Sequence, residues 1–538
     1  MLFPHPANPN SYYYSAVAQS LANGHGFSVN FLWSFLDVGS SVPAHGVLPI
    51  ASNAHWMPLA SLIQVPFLLL FGANDTAGAI PFILLGAALA TFSYAFARDM
   101  LRPALRQSET PALLVGLFAA ISGYIVDYLS QTDNFALYAI LVVSVLWIVG
   151  RMLRGDPGVA WGKHTLGPKA SMAIAGLATG LAFLSRDDGV LLVVVVGLAW
   201  LFERLSAHQH RRVPLITFGA ILVYGLVALL AVAPWLIRQE LVFGTLSPSA
   251  SSGRILWIRT YSELFSADGP IGMGYLLSWG WQNLLASRLS ALAAVFELTA
   301  TNLLFVFGLL WVAFGLPGNW RRPDLRPYFL WGLVFGAWSV LVAAPHLLAG
   351  NFLHSAVALT PLLYLLLVDG IHSFAARLPS LPYCRRLSSS GLLHKAIIGS
   401  LSLALLFSGV FAFLIAGSWS SYRDGYVSAV AAVQSHGGEG QVVMAADPGL
   451  IWDIDHAMPA IATPTSDLAV VEQAARSYGA HWLILDRNNV VSALKPILTG
   501  DLHPDWLSVL PIYQSAPDAK TGLSRIEVYE IVDLPSAR

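Results

Sequence analysis

Ten long runs of apolar residues are the feature that most limits how this chain can fold. Most of them approach or reach the roughly 17–25 residues that an α-helix needs to cross a bilayer. Only 11% of the 538 residues are charged, whereas soluble domains carry about 25%. The sequence therefore predicts an α-helical polytopic membrane protein with about ten transmembrane helices. The predicted spans are 78–97, 111–129, 134–150, 171–184, 189–202, 214–236, 296–316, 328–345, 351–369 and 396–416.

Lysine and arginine residues are concentrated in every second loop between these runs. By the positive-inside rule such loops face the cytoplasm, so the alternate loops and both chain ends are predicted to be extracytoplasmic. The apolar segments 55–73 and 271–295 are predicted to lie in the outer interface, which preserves this alternation. The basic loops are 98–106, 151–169, 204–212, 321–326 and 377–395.

The last 120 residues have a different pattern from the rest of the chain. Residues 441–446 and 481–486 resemble buried strands, and the helical pattern of 467–478 lies between them. A strand–helix–strand order indicates a small α/β domain with a parallel sheet. We therefore divide the chain into an external loop region with juxtamembrane helices (1–77), a transmembrane helical domain (78–416) and a soluble external α/β domain (417–538).

Asp133 is the first candidate functional residue. It lies in the segment 131–134 (QTDN), at the predicted outer junction of two spans. Ionisable residues near membrane depth are costly to bury and are therefore usually functional. The alternative is a helix N-cap, in which Thr132 or Asp133 accepts from the free amides of the following helix, and the two roles are compatible.

Arg186, Asp187 and Asp188 form a charged turn between two short spans. The planar guanidinium of an arginine suits a phosphate, and a neighbouring carboxylate can orient it or bind a divalent cation. The alternative is an internal ion pair that neutralises a buried turn. The sequence identifies no cofactor, and it leaves a divalent cation open.

Two further pairs of residues lie on the predicted outer side. His55 could contact phosphate or transfer a proton, and Trp56 could stack on a sugar ring; a plain interfacial anchor is the alternative. His346 and His354 could supply additional phosphate contacts, although each taken alone is more often structural.

Four short segments, in order and spacing, resemble the GT-C type of polytopic glycosyltransferases. The similar branch includes the protein mannosyltransferases and the lipid A aminoarabinose transferase. The resemblance covers about residues 8–370, and implies a transmembrane helix ahead of the first segment that is missing from this sequence. The segments are 11–27 (SYYYSAVAQSLANGHGF), 55–59 (HWMPL), 131–133 (QTD) and 180–186 (GLAFLSR).

The resemblance implies an inverting transfer of a sugar from a polyprenyl-phosphate carrier. In this family an acidic residue of the first external loop removes the acceptor proton, while cations stabilise the leaving phosphate. Here Asn10 occupies the expected position of the acid, just before Tyr13, which is predicted to contact the substrate. An amide cannot accept a proton at useful pH. Asp37 or Asp133 could take the role, or the enzyme is altered or inactive.

The sequence thus predicts a multi-pass membrane glycosyltransferase whose active site and C-terminal domain are extracytoplasmic. Its predicted partners are a polyprenyl-phosphate hexose or pentose donor, a glycan, lipid or protein acceptor, and membrane lipids. The near balance of 29 basic and 30 acidic residues gives no indication of nucleic-acid binding. Two alternatives remain: a non-catalytic membrane scaffold with an external binding domain, and a lipid or glycan transporter, which should show inverted repeats.

Overall fold

The computed structural model describes residues 3–161, 164–249, 251–269, 271–347, 351–378, 389–517 and 522–532. Its helices, in chain order, are α1 (Pro9–Ala22), α2 (Leu59–Leu62), α3 (Val65–Phe71), α4 (Asp75–Met100), α5 (Thr110–Ile121), α6 (Phe135–Arg154), α7 (Pro168–Ser185), α8 (Leu191–Gln209), α9 (Phe218–Phe243), α10 (Ser252–Ile255), α11 (Met273–Leu277), α12 (Trp281–Leu298), α13 (Gly308–Gly315), α14 (Arg326–Leu341), α15 (Phe352–Ala356), α16 (Thr360–Arg377), α17 (Ser389–Ser435), α18 (Pro448–Ile454), α19 (Leu468–Tyr478) and α20 (Lys495–Leu498).

The strands are short. They are β1 (Ser28–Val29), β2 (Phe31–Leu32), β3 (Ile50–Ala51), β4 (Ala160–Trp161), β5 (His164–Thr165), β6 (Val442–Ala445), β7 (Ala460–Ala462), β8 (Ala480–Asp486), β9 (Tyr513–Gln514) and β10 (Ile526–Glu530).

The described residues form two compact units, each built from separate stretches of the chain. The first, which we call the helical unit, contains residues 81–238 and 282–414. The second, the sheet unit, contains residues 3–80, 239–281 and 415–538. The sheet unit thus draws residues from both ends of the chain and from its middle, and the linear division into three domains stays a prediction.

Seven helices of the described residues are long and apolar enough to cross a membrane. An eighth crossing results if the bent pair Thr110–Ile121 and Gly123–Ser130 forms one span. Two further predicted spans, 171–184 and 328–345, correspond to α7 and α14, which have 18 and 16 residues. The count of ten crossings stays a prediction, whereas the polytopic helical character of the chain is confirmed.

The structure differs from the sequence prediction around residues 281–316. We predicted an interfacial helix over 271–295 and a span over 296–316, but the helix long and apolar enough to cross is Trp281–Leu303. A π-helical turn ends it at Thr299–Leu303, and Phe305 and Val306 then have positive φ. Non-glycine residues rarely adopt this conformation, so the apolar run continues in sequence while the helix stops and restarts at α13.

Glycines allow close contacts between helices of the helical unit. A Cβ at Gly176 of α7 would lie 2.3 Å from the carbonyl oxygen of Tyr224 in α9, and one at Gly180 would lie 2.5 Å from the Cβ of Ala231. At the crossing of α13 and α16, a Cβ at Gly315 would lie 2.0 Å from the carbonyl oxygen of Leu366. Small residues spaced by four let helix backbones approach in a membrane, where apolar burial gives no driving force.

We predict that Gly176→Ala destabilises the helical unit by about 1–3 kcal/mol, because the added methyl group would overlap the backbone of α9. Gly197→Ala is the matched control, since a Cβ at that position of α8 would meet nothing within 4 Å. Thermal unfolding of the purified protein in detergent measures both changes. Equal unfolding temperatures for the two variants would contradict the close contact of α7 and α9.

The sheet unit contains a six-stranded mixed sheet in the order β2-β7-β6-β8-β10-β9. Strands β2, β7, β6 and β8 are parallel, whereas β10 runs antiparallel to β8 and β9. The predicted parallel α/β sheet of the C-terminal region is confirmed, with α19 between β7 and β8. Its apolar core includes Met444, Ile461 and Leu483, each fully buried.

The N-terminal segment joins this sheet. Strand β2 pairs with β7, so that Phe31 lies opposite Ala460 and Leu32 opposite Ile461. Helix α1 begins with a capping box: the Asn8 side chain accepts from the amide of Ser11, and the Ser11 hydroxyl accepts from the amide of Asn8. This reciprocal pairing satisfies two of the helix's free amides and fixes where α1 starts.

Candidate active site

Asp133 and His354 form a buried pair in the helical unit. Oδ2 of Asp133 lies 3.0 Å from Nε2 of His354, and only 1% of Asp133 and 7% of His354 are exposed. The imidazole also stacks on Phe135, with ring centroids 3.9 Å apart. The other carboxylate oxygen of Asp133 accepts from the backbone amide of Asn134 at 2.7 Å, so Asp133 helps to satisfy the start of α6 while facing His354.

Arg186, Ser355 and Asp188 make a second polar group in the same unit. Nε of Arg186 donates to the Ser355 hydroxyl at 2.9 Å and lies 3.4 Å from Oδ1 of Asp188. The Ser355 hydroxyl donates in turn to Oδ2 of Asp188. Ser355 follows His354 in α15, so one short helix contributes to both groups. We call these five residues, Asp133, Arg186, Asp188, His354 and Ser355, the Asp133 cluster.

The charged turn takes this position because α7 ends abruptly. Arg186 is extended, with φ −151° and ψ 139°, and ends α7, and a 3₁₀ turn over Asp187–Val190 then leads into α8. Gly189 makes the turn possible, since a Cβ there would lie 2.6 Å from the carbonyl carbon of Ala182. Asp188 is consequently buried, whereas Asp187 is exposed and accepts from the Asp188 amide at 3.0 Å.

Burial by itself would raise the pKa of the Asp133 carboxyl, but its neighbours outweigh this effect. The imidazole of His354, the amide of Asn134 and the guanidinium of Arg186 together hold the pKa below its ordinary value of 3.8. A carboxyl whose pKa is lower in the folded state stabilises the fold above its unfolded-state pKa. That stabilisation is lost as the pH falls through the folded-state pKa.

We predict that Asp133→Asn lowers the free energy of unfolding by about 1–3 kcal/mol at pH 7, because a charge-assisted contact to His354 is lost. The difference from the wild type should shrink once the pH falls below about 4, as the wild-type carboxyl becomes protonated. Thermal unfolding in detergent between pH 3 and 8 measures this. Asp467→Asn, at an exposed carboxyl, is the control, and a wild-type–variant difference that is constant over this pH range would refute the pairing.

A second group of predicted residues lies in the sheet unit. Oδ1 of Asn10 accepts from Nε1 of Trp56 at 2.9 Å, and the Trp56 ring lies 3.9 Å from that of Tyr13. The Tyr13 hydroxyl accepts from the Asn53 amide at 2.6 Å. Trp56 is 7% exposed, so its indole is packed among other rings. We call Asn10, Tyr13, His55 and Trp56, together with Trp33, the aromatic cluster.

Trp33 connects His55 to the rest of the aromatic cluster. It stacks on His55 with ring centroids 5.3 Å apart and an interplanar angle of 14°, and its centroid lies 4.2 Å from that of Trp56. Nδ1 of His55 lies 3.1 Å from the Ser251 hydroxyl. His55 and Asn10 are only partly buried, so the edge of the aromatic cluster carries polar atoms that a ligand can reach.

We predict that Asn10→Ala destabilises the sheet unit by about 1–2 kcal/mol, because the buried indole N–H of Trp56 would lose its acceptor. Asn10→Asp keeps an acceptor oxygen at the same place and should be close to the wild type. Tryptophan fluorescence during chemical unfolding measures the stability of each variant. Equal loss of stability in both variants would show that the Trp56 contact is not what stabilises this part of the chain.

Asp37, another predicted residue, joins neither cluster. Asp37 lies in the 3₁₀ turn Phe35–Val38 of the sheet unit, and neither carboxylate oxygen has a hydrogen-bond partner among the described residues. Burial raises its pKa to about 7. The backbone of His346 belongs to the 3₁₀ turn Ala344–His346, but its side chain lies outside the described part of the structure.

In the part of the chain that is described, no group of three or more His, Cys, Asp or Glu residues is placed to hold a metal ion. Among the described residues, the divalent cation that the sequence left open therefore has no candidate site with three or more His, Cys, Asp or Glu ligands. The two neighbouring aspartates have different surroundings, since Asp187 is exposed and Asp188 is buried against Ser355.

Several contributing residues were not predicted from the sequence. Ser355 adjoins the predicted His354 but belongs to no motif, and only its position between Arg186 and Asp188 gives it a role. Phe135 and Trp33 were overlooked because an aromatic residue in an apolar run is most often a packing residue. No sequence signal distinguishes these two rings from the many others in the chain.

Two solved structures share the architecture of the whole chain. The structure of ArnT from Cupriavidus metallidurans bound to undecaprenyl phosphate has a TM-score of 0.57 and 13% sequence identity, covering 99% of this chain and 95% of ArnT. The apo structure of the same protein gives a TM-score of 0.54 and 12% identity, covering 98% and 95%. Neither the models of known protein families nor the sequences of curated proteins match this chain.

The chain therefore has the fold of the GT-C type glycosyltransferases, as the order of its short motifs predicted. The structure of ArnT, an aminoarabinose transferase, is similar to that of this chain over nearly its full length. At this level of identity the likeness establishes the fold, and the chemistry has to be argued from the side chains.

Proposed function

We propose that this protein is a membrane glycosyltransferase that moves a sugar from a polyprenyl-phosphate donor to an acceptor at the outer face of the cytoplasmic membrane. The observation that carries the proposal is the full-length likeness to a structure that contains undecaprenyl phosphate. The Asp133 cluster supports it, because it brings together an arginine, a histidine and two carboxylates in a buried site of a membrane protein.

Arg186 is proposed to bind the phosphate of the donor and of the departing carrier. A guanidinium presents several N–H donors in one plane, which matches phosphate oxygens, and Nε is occupied by Ser355. Asp188 and Ser355 then hold the side chain in one orientation, so that little conformational entropy is lost when phosphate binds.

His354 is proposed to act beside Arg186, and Asp133 to orient its ring. When protonated, the imidazole adds positive charge where negative charge develops as the bond between the anomeric carbon and the phosphate oxygen breaks. The acceptor oxygen forms the new bond to the anomeric carbon from the opposite face, so the configuration inverts. The electron pair of the broken bond stays on the phosphate.

The group that takes the acceptor proton is proposed to be different from the first-loop acid of the family. Asn10 accepts from Trp56 and has no basic atom, while Asp37 is buried and neither of its carboxylate oxygens has a hydrogen-bond partner among the described residues. Among the predicted residues, Asp133 is a carboxylate in hydrogen-bond contact with a second titratable group, so we propose that it takes the acceptor proton while His354 stays protonated beside the phosphate. The substrate contacts predicted for His55 and Trp56 in the aromatic cluster of the sheet unit stay predictions.

Transfer of radiolabelled sugar from synthetic polyprenyl-phosphate donors to membrane acceptors tests the proposal. We predict that Arg186→Ala lowers kcat/KM at least about a hundredfold, while Arg186→Lys retains part of the activity because charge remains but the planar donor set is lost. Asp133→Asn should lower transfer at least about tenfold. Arg204→Ala, which removes an arginine outside both clusters, should leave transfer unchanged.

The outcomes distinguish the enzyme from its alternatives. If correctly folded protein transfers no sugar from any hexose or pentose donor, the proposed enzymatic activity is refuted and a non-catalytic scaffold is favoured. The amide at Asn10, in place of an acid, is the observation that supports the scaffold. Transfer that survives both Arg186→Ala and Asp133→Asn would support the enzyme but refute the assignment of the Asp133 cluster as its site.

A further inference from the structure

A cavity of about 400 Å³ lies in the helical unit, away from the residues of the Asp133 cluster. Three arginines and one glutamate line it, together with a serine and a few apolar residues. The polar lining residues are Arg154, Glu203, Ser206, Arg212 and Arg326. This volume lies within the range of sites that bind small molecules or headgroups.

The three arginines of this cavity are held differently. Arg154 is fixed by carboxylates, since its Nη2 lies 2.7 Å from Oδ1 of Asp99 and its Nε lies 2.6 Å from Oδ2 of Asp156. Arg212 donates to Oε1 of Glu203 at 2.7 Å. Arg326, by contrast, has no hydrogen bond or ion pair with any described residue, although it is only partly exposed. One guanidinium of the cavity is therefore available to an anion.

The position of these arginines indicates what kind of anion fits. Arg154 is the last residue of α6, Arg326 is the first of α14, and Arg212 follows shortly after α8. All three belong to loops that the positive-inside rule places in the cytoplasm. The ends of membrane-crossing helices lie at the depth of lipid headgroups, and basic pockets between such helices on this side bind anionic headgroups.

The apolar residues of the cavity suit a lipid better than a free anion. Leu153, Leu215 and Pro323 contribute hydrocarbon surface beside the arginines. An inorganic phosphate would leave this surface uncovered, whereas the glycerol and first methylenes of a phospholipid would cover it. The phosphate would then lie against Arg326, with Arg212 as its second partner.

We propose that this cavity is a binding site for the phosphate headgroup of an anionic phospholipid, separate from the proposed transfer site. Arg326 binds the phosphate directly, Arg212 adds a second contact, and Arg154 supplies positive charge from a fixed position. The site would anchor the cytoplasmic ends of α6, α8 and α14 to the inner leaflet.

Native mass spectrometry of the purified full-length protein tests this site. The protein is offered equal amounts of phosphatidylglycerol and phosphatidylethanolamine, and the bound ratio is measured for the wild type and for the double variant Arg212→Gln, Arg326→Gln. We expect the wild type to retain phosphatidylglycerol at least fivefold over phosphatidylethanolamine, and the double variant to lose that preference. The control is Arg211→Gln with Arg321→Gln, two exposed arginines outside the cavity lining.

A second measurement separates a lipid from free phosphate. Thermal unfolding is followed with added phosphatidylglycerol, or with inorganic phosphate against chloride at equal ionic strength. Stabilisation by the lipid that the double variant lacks and the control keeps would support the proposal. Stabilisation by inorganic phosphate alone would overturn the lipid assignment, and an unchanged lipid preference in a folded double variant would overturn the site.

Discussion

Hydrocarbon cannot solvate a charge, and much of this structure follows from that constraint. A lone charge among membrane helices costs several kcal/mol, so ionisable side chains there need partners. In the helical unit Asp369 accepts from Arg102 and Asn319, and Asp99 lies between Arg151 and Arg154. The Asp133 cluster follows the same rule, with Asp133 beside His354 and Arg186 beside Asp188.

Pairing of this kind explains why the Asp133 cluster could serve both stability and chemistry. Its two carboxylates lie against the guanidinium of Arg186 and the imidazole of His354 and hold both side chains in place. In the proposed reaction the phosphate would meet charged side chains that are already oriented, so its binding would need little rearrangement of the site. In the cavity lined by Arg154, Arg212 and Arg326, Arg326 is unusual, because the described residues provide it with no carboxylate.

Close helix packing makes these pairs possible. Gly176 and Gly180 bring α7 against α9, and Gly189 lets the charged turn pack on the backbone of α7. With a larger residue at Gly189, Arg186 and Asp188 could not occupy their present places beside Ser355. In the sheet unit the aromatic cluster depends instead on ring stacking, with Asn10 accepting from the indole of Trp56.

Much of the fold could be predicted from the sequence, because its signals are local. Apolar runs identified most spans, the strand–helix–strand pattern identified the parallel sheet, and the order of short motifs indicated the GT-C fold. The break near Phe305 could not be predicted, since the apolar run continues through a region where the backbone leaves the helix. Strand β2 was also missed, because two residues have no periodicity to detect.

By itself, the sequence determined that the chain belongs in a membrane and where most of its long helices lie, and it indicated which polar residues are costly to bury. Only the tertiary structure decided which of those residues meet. Asp133 and His354 are 221 positions apart, and Arg186 and Ser355 are 169 apart. Hydrophobic periodicity is a property of neighbouring residues, whereas contacts at such separations depend on how helices cross, and small residues spread along the chain determine those crossings.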